Sequence, residues 1–248
     1  MKFTIVSHFS SMFCFSDYLW KMRKDLVNWG GFCCLFFGEA GAGKTELVKQ
    51  LAKQTGRDLF QVDLSQIRSK WVGESEKNIQ DIFDQYKVML SHTKRQPILL
   101  FNEADAIMGR RFETTKHAVD KMENSISNII LQNMEDFDDG ILIATTNLAE
   151  KNLDAAYERR FLYKLRFSRP NLEVRHKIWC SMLSDVDVDV LARLSQEFNF
   201  TGGQIVNIKK KKMIDEILYG DRSSYADLKD YCEQESISTP RPALIGFK

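Results

Sequence analysis

The chain has 248 residues, of which 44% are hydrophobic and 28% are charged. This length is enough for one α/β domain with a substantial core and a small second domain. Its 35 lysines and arginines balance 34 acids, so no overall charge draws the chain to nucleic acid or to an anionic membrane. No stretch reaches the roughly 20 apolar residues that a membrane-spanning helix requires.

The five cysteines form no CxxC pair and the four histidines are scattered. This pattern disfavours both a zinc site and a disulfide framework, and it favours a reducing compartment. We therefore expect a cytoplasmic protein. Residues 1–30 carry no motif that we can assign, and we expect them to be a short lead-in or the cut end of a longer protein.

Strand and helix patterns alternate from about residue 32 to residue 168. Apolar or alternating segments predict five strands, which are FCCLFFG (32–38), DLFQVDLS (58–65), ILLFN (98–102), GILIATTN (140–147) and LYKLRF (162–167). Apolar residues at helical spacing predict helices over 44–56 and 75–90, and a long helix after the third strand. The alternation predicts an α/β domain over residues 31–170, with helices on both faces of a parallel sheet.

Beyond Pro170 the strand signal stops and only helical patterns remain. We expect a small all-helical domain over residues 171–235, followed by an irregular tail over residues 236–248. Four consecutive lysines, Lys209 to Lys212, fall within a predicted helix, where consecutive side chains fan around the axis. They form no single basic face, and we expect their amines to reach solvent.

The segment GEAGAGKT (38–45) matches the phosphate-binding pattern G-x-x-x-x-G-K-[ST] and lies between a buried strand and a helix, the context that this motif requires. Backbone N–H groups and the positive end of the helix dipole bind phosphates in such loops. We expect Lys44 to neutralise the β- and γ-phosphates of ATP and Thr45 to offer its hydroxyl to Mg²⁺. The predicted nucleotide-binding residues of the loop are Gly38, Glu39, Ala40, Gly41, Ala42, Gly43, Lys44 and Thr45.

The third predicted strand runs directly into the polar residues of FNEAD. Glu103 is a carboxylate at the mouth of a buried strand, where it can act as the general base for an attacking water. Asn102 occupies the position that usually carries an aspartate and helps to hold Mg²⁺. It keeps an acceptor oxygen but lacks the negative charge, which Asp105 is expected to restore locally. Slow ATP hydrolysis is therefore predicted, and a protein that binds ATP without turnover is the alternative.

Six segments in order, GEAGAGKT, SKWVGESEKN, ILLFNEAD, ATTN, ERRF and TGGQI, resemble an AAA-type ATPase of the AAA+ superfamily over about residues 30–215. The FNEAD sequence resembles a variant of bacterial members. The resemblance implies a P-loop NTPase sheet followed by a helical lid domain, with ATP and Mg²⁺ as ligands. It also implies a homo-oligomer, most often a six-membered ring built from head-to-tail contacts.

The same resemblance suggests roles for residues beyond the phosphate-binding loop. Asn147 of ATTN would be the sensor that helps Glu103 to position water, although a polar residue can also simply end a strand in a turn. Gly203 of TGGQI would bring a helix start near the nucleotide, and a flexible helix entry is the alternative.

The segment ERRF (158–161) resembles the arginine-finger region. Arg159 or Arg160 would reach the ATP of the adjacent subunit and stabilise charge in the transition state. The sequence does not distinguish which of the two does so, and an ordinary solvated arginine pair is the alternative.

The segment SKWVGESE (69–76) resembles the first pore loop of such rings. Trp71, Val72 and Gly73 would then contact an extended polypeptide in the axial channel. The alternative is that Trp71 is buried in the core, as tryptophan usually is. The charged flanks favour a surface loop.

These features favour an ATP-driven remodeller that acts on a protein client. An ATP-dependent assembly switch with little or no hydrolysis is the alternative, and a DNA-associated ATPase is a third possibility. The balanced charge and the lack of a DNA-binding motif make nucleic acid an unlikely partner.

Overall fold

The computed structural model describes residues 31–64, 75–109, 118–148, 152–220 and 223–237. These residues form two compact units. The first contains residues up to Gly38 together with Lys44–Phe167, and the second contains Glu39–Gly43 together with the chain from Ser168 onward. The predicted pore loop, at Trp71, Val72 and Gly73, lies outside the described residues, as do residues 1–30.

The first unit is built on a five-stranded sheet. Its strands are β1 (Phe32–Gly38), β2 (Leu59–Asp63), β3 (Ile98–Asn102), β4 (Ile141–Thr146) and β5 (Tyr163–Phe167). Every pairing is parallel, and the spatial order is β2-β3-β4-β1-β5. The carboxyl ends of all five strands therefore meet at one edge of the sheet. The predicted α/β class with a parallel sheet is confirmed.

Helices cover both faces of this sheet. They are α1 (Lys44–Thr55), α2 (Ser75–His92), α3 (Asp105–Met108), α4 (Ala118–Glu135) and α5 (Ala155–Glu158). Phe83 of α2 and Ile130 of α4 pack in the core on one face, whereas Leu51 of α1 packs in the core on the other. Each such side chain contributes about 1.5–3 kcal/mol through burial. The central strands β1, β3 and β4 are apolar on both sides because both sides are covered.

The adjacent cysteines of β1 illustrate this two-sided burial. Cys33 packs in the core on one face and Cys34 in the core on the other, and both thiols are free. Burial raises the pKa of the Cys33 thiol to about 12, so this group stays protonated and packs as a small apolar side chain.

The second unit consists of helices after β5. They are α6 (Leu172–Met182), α7 (Val188–Glu197), α8 (Gly202–Tyr219) and α9 (Tyr225–Ile237). Trp179, Leu194, Ile208 and Leu228 are at most 1% exposed and form the centre of its core. Neither this unit nor the described part of the first contains a helix that is both long and apolar enough to cross a membrane.

The expectation that every lysine of the run in α8 reaches solvent is wrong for Lys212. Its side chain is buried, and its amine donates hydrogen bonds to Asp185 at 2.5 Å and to Glu216 at 2.6 Å. Two carboxylates compensate the charge that burial would otherwise penalise. Lys212 is therefore engaged within the helical unit and adds nothing to a basic surface.

The chain turns sharply where β3 ends. Glu103 has a φ of 54° and is the one residue other than glycine with a positive φ in the described part of the chain. The next residue, Ala104, donates its N–H to the carbonyl oxygen of Thr145 at 2.9 Å, and α3 follows. A side chain in the left-handed region costs of order 1–3 kcal/mol. Contacts such as the hydrogen bond from Ala104 to Thr145 therefore hold the backbone of Glu103 in a strained conformation.

We expect Glu103→Gly to be more stable than Glu103→Ala by about 1 kcal/mol, because glycine adopts a positive φ without strain. The larger chain entropy of glycine, about 0.4–1 kcal/mol, offsets only part of this gain. Urea unfolding of both variants measures the difference. Lys49, exposed in the middle of α1, is the control, since Lys49→Gly must be about 1 kcal/mol less stable than Lys49→Ala. The same sign at both positions would contradict strain at Glu103.

Candidate functional site

The phosphate-binding loop starts at the last residue of β1 and ends in the first turn of α1. Gly38, Gly41 and Gly43 have φ values of 128°, 70° and 91°, which only glycine adopts easily. Lys44 is only 7% exposed, and its Nζ donates to the carbonyl oxygen of Gly38 at 2.9 Å and to Oδ1 of Asn147 at 2.8 Å. Lys44 and Asn147, two of the predicted site residues, are 103 positions apart in sequence and are hydrogen-bonded in the structure.

The middle of the loop, Glu39–Gly43, packs within the second unit. The N–H of Gly203 donates to the carbonyl oxygen of Gly41 at 3.0 Å. A Cβ on Gly203 would lie 3.0 Å from Cα of Gly41, and a Cβ on Gly41 would lie 2.7 Å from Oγ1 of Thr201. Glycine at both positions permits this close approach of two backbones. Gly203, which was predicted to lie near the nucleotide, thus contacts the middle of the phosphate-binding loop.

Two further contacts shape the same stretch of the loop. The N–H of Ala42 donates to the carbonyl oxygen of Glu39 at 3.3 Å, which closes a turn around Ala40. Nε of Arg169 donates to Oε2 of Glu39 at 2.6 Å. The ion pair is largely exposed, so solvent weakens it. Sequence reasoning did not single out Arg169.

Asn102 lies at the centre of a hydrogen-bond cluster at the end of β3. Its Oδ1 accepts from the hydroxyl of Thr45 at 2.7 Å and from the hydroxyl of Thr145 at 3.0 Å. Its Nδ2 donates to Oδ1 of Asp63 at 3.0 Å. The predicted metal residues, Thr45 and Asn102, are therefore in direct contact. Sequence reasoning did not single out Asp63, because its proximity to Asn102 depends on the pairing of β2 with β3.

Asp105 contacts the end of β4. One of its carboxylate oxygens accepts from the hydroxyl of Thr146 and, at 2.8 Å, from the N–H of Asn147. It was expected to restore charge near Asn102, yet the carboxylate bonded to the Asn102 side chain is that of Asp63. Asp105 instead holds the backbone from which the Asn147 side chain reaches Lys44.

Glu103 is exposed and follows Asn102 at the same edge of the sheet. Its N–H donates to the hydroxyl of Thr145 at 3.3 Å. Because Thr145 also donates to Asn102, one buried hydroxyl fixes both residues at the end of β3. A carboxylate on a fixed backbone at this edge is suited to orient or deprotonate a water molecule.

The donor atoms of this cluster fit Mg²⁺. They are a threonine hydroxyl, an amide oxygen and carboxylates, all of them oxygens, which Mg²⁺ prefers. Within the described residues, no group of three or more histidine, cysteine, aspartate or glutamate side chains is arranged to hold a metal ion. Mg²⁺ retains several waters and phosphate ligands, so two protein oxygens, from Thr45 and Asn102, are a chemically sufficient set.

The two arginines of ERRF have different surroundings. Arg160 donates to the carbonyl oxygens of Ala156 at 2.7 Å and Leu131 at 3.3 Å, and it forms an ion pair with Glu135. Arg159 caps the end of α5 with an exposed side chain. No hydrogen bond or ion pair holds that side chain to the residues that the structure describes. The Arg160 side chain is thus engaged with α4 and α5, whereas the Arg159 side chain is exposed.

Comparison with known proteins agrees with this geometry. The family model for the ATPase family associated with various cellular activities (AAA) matches residues 34–169, more than half of the chain. The chain is 29% identical over 189 residues to the ATPase family AAA domain-containing protein FIGL1 of Arabidopsis thaliana, which covers 71% of this chain. It is 26% identical over 224 residues to Cell division protein C of Sulfolobus acidocaldarius, covering 83% of this chain.

A third relative, the AAA family ATPase y4kL of Sinorhizobium fredii, is 35% identical over 139 residues, which is 55% of this chain. The matched regions span 26% of FIGL1, 57% of Cell division protein C and 38% of y4kL. The chain thus corresponds to a part of each of these relatives. Because the family model matches more than half of the chain, the chain belongs to the AAA family of ATPases.

Proposed function

We propose that this chain binds Mg-ATP at the carboxyl edge of its sheet and hydrolyses it. The observation that supports this most directly is the pair of contacts from the start of α1, Lys44 to Asn147 and Thr45 to Asn102. They join the phosphate-binding loop to the ends of β3 and β4, beside Glu103. These contacts support a single site formed by the loop, the proposed metal residues, the base and the sensor.

Each residue has a distinct role in this proposal. Lys44 neutralises the β- and γ-phosphates, and Asn147 orients Lys44 and the attacking water. Thr45 and Asn102 would hold Mg²⁺, which would neutralise the charge that develops on the phosphates. Glu103 accepts a proton from water or orients it for in-line attack.

The hydrolytic site is completed in an oligomer, which we propose to be a ring of about six subunits built from head-to-tail contacts. Arg159 is the residue that reaches the ATP of the neighbouring subunit, because Arg160 is already held by Ala156, Leu131 and Glu135. A guanidinium at the γ-phosphate stabilises the transition state.

The work done by hydrolysis is the remodelling of a protein client in the cytoplasm. Support comes from the segment SKWVGESE, in which Trp71, Val72 and Gly73 resemble a pore loop. An aromatic and an aliphatic side chain grip a polypeptide through apolar contact, without reading its sequence.

The alternative is an ATP-dependent assembly switch, which Asn102 favours because it removes a charge from the metal site. A switch of this kind binds ATP tightly and releases no phosphate. The following experiment separates the two functions.

Lys44→Ala is expected to weaken ATP binding by about tenfold or more, since it removes the charge that faces the phosphates. Glu103→Gln is expected to bind ATP normally and to lower phosphate release by about a hundredfold or more. Titration with a fluorescent ATP analogue and a phosphate-release assay measure both effects, with Lys49→Ala on the exposed face of α1 as the control. Equal release by all variants would refute the proposed site, and wild type that binds ATP without release would favour the switch.

Arg159→Ala is expected to slow phosphate release by about a thousandfold or more while leaving the melting temperature unchanged. Arg160→Ala is expected to lower the melting temperature, because two carbonyl groups and Glu135 lose their partner. Mixing Arg159→Ala with Lys44→Ala subunits must restore release, since each supplies what the other lacks across a subunit contact. A mixture no more active than its separate components would exclude an arginine acting between subunits.

Trp71→Ala is expected to weaken binding of a permanently unfolded probe, labelled carboxymethylated lactalbumin, by about tenfold in the presence of ATP. Fluorescence anisotropy in the Glu103→Gln background measures this binding without turnover. Tyr219→Ala, which removes an exposed aromatic ring from the second unit, is the matched control. Equal affinity in Trp71→Ala and Tyr219→Ala would remove Trp71 from the client site.

A further inference from the structure

Asp63 and Asn102 are the last pair of residues in register between β2 and β3, and their side chains are hydrogen-bonded. The two residues are partners in the parallel register, so their side chains project to the same face of the sheet. Nδ2 of Asn102 lies 3.0 Å from Oδ1 of Asp63, and Oδ1 of Asn102 lies 2.7 Å from the hydroxyl of Thr45. The Asn102 side chain thus connects the carboxylate of Asp63 to Thr45, the threonine proposed to bind Mg²⁺.

The chemistry of Asp63 fixes the orientation of the amide. An ionised carboxylate only accepts hydrogen bonds, and an amide has one donating end and one accepting end. The NH₂ group of Asn102 must therefore face Asp63, which leaves the amide oxygen facing Thr45. With Asp63 replaced by a neutral side chain of the same shape, this preference disappears.

The charge of the cluster explains why asparagine is suited to position 102. An aspartate there would bring two carboxylates to about hydrogen-bond distance, and like charges this close disfavour ionisation of both. Asp63 and Asn102 together carry one negative charge, the same as a single aspartate at position 102. In this chain the negative charge lies at the end of β2, at Asp63, and the end of β3 carries the neutral Asn102.

We propose that Asp63 is a positioning residue of the magnesium site, supplying through Asn102 the negative charge that the strand end of β3 lacks. This inference rests on the proposed Mg-ATP function. Asp63 polarises the amide and orients its oxygen, so that Asn102 attracts a cation as a charged ligand would. Partners of metal ligands typically change metal affinity by about 10–100-fold when they are removed.

The test is the gain in nucleotide affinity that Mg²⁺ produces, measured with a fluorescent, non-hydrolysable ATP analogue in saturating Mg²⁺ and in EDTA. Asp63→Asn is expected to reduce this gain roughly tenfold, with affinity in EDTA unchanged. The exchanged pair, Asp63→Asn with Asn102→Asp, must recover most of the gain, because one charge is restored. Asn102→Asp alone must not exceed wild type. Asp58→Asn, exposed just before β2, is the matched control.

A different result is expected if the hydrogen bond between Asp63 and Asn102 only stabilises the sheet. The melting temperature of Asp63→Asn would then fall while the gain from Mg²⁺ stays at the wild-type value, and that outcome overturns the proposal. An exchanged pair no better than Asp63→Asn also overturns it. Lys44→Ala separates the two levels of inference. If it loses binding in EDTA while Asp63→Asn keeps the full magnesium gain, only the role of Asp63 fails; if it binds normally, the nucleotide site itself fails.

Discussion

A buried ammonium group is the constraint on which the rest of the site depends. Lys44 is almost fully enclosed, and a charge in such surroundings is tolerated only when hydrogen-bond partners replace water. The carbonyl oxygen of Gly38 and the amide oxygen of Asn147 are two of those partners. One belongs to the end of β1 and the other follows β4, the strand paired with it. The pairing of β1 with β4 is therefore what permits a lysine to be held ready for phosphate.

Around this lysine the side chains at the strand ends restrain one another. Thr145 ties Asn102 to the backbone of Glu103, and Asp105 ties the end of β4 to α3. Hydrogen bonds of this kind hold Glu103 in a backbone conformation that it would not adopt alone. Strain of this size is typical of functional positions, where fixed geometry matters more than local stability.

The parts of this site that are adjacent in sequence follow from local patterns, whereas the contacts between distant residues do not. β1 and β3 have the predicted bounds because unbroken apolar runs end at a glycine and at an asparagine. Lys44, Thr45 and Glu103 follow from motifs whose residues are adjacent in sequence. The partnership of Asp63 with Asn102 depends on a strand register set by contacts 39 residues apart, which no local pattern encodes. The anchoring of Arg160 depends likewise on the distant α4, so two adjacent arginines are equivalent in sequence and different in the fold.

The hydrogen bond between Thr45 and Asn102 has a consequence for the kind of ion that the Thr45 oxygen can accept. A hydroxyl group has a single proton, and that of Thr45 is committed to the amide oxygen. The lone pairs of the Thr45 hydroxyl oxygen are then not directed at Asn102. They repel an anion and attract a cation. The Thr45 oxygen is therefore suited to a cation, whereas the ammonium group of Lys44, one residue earlier, is suited to an anion.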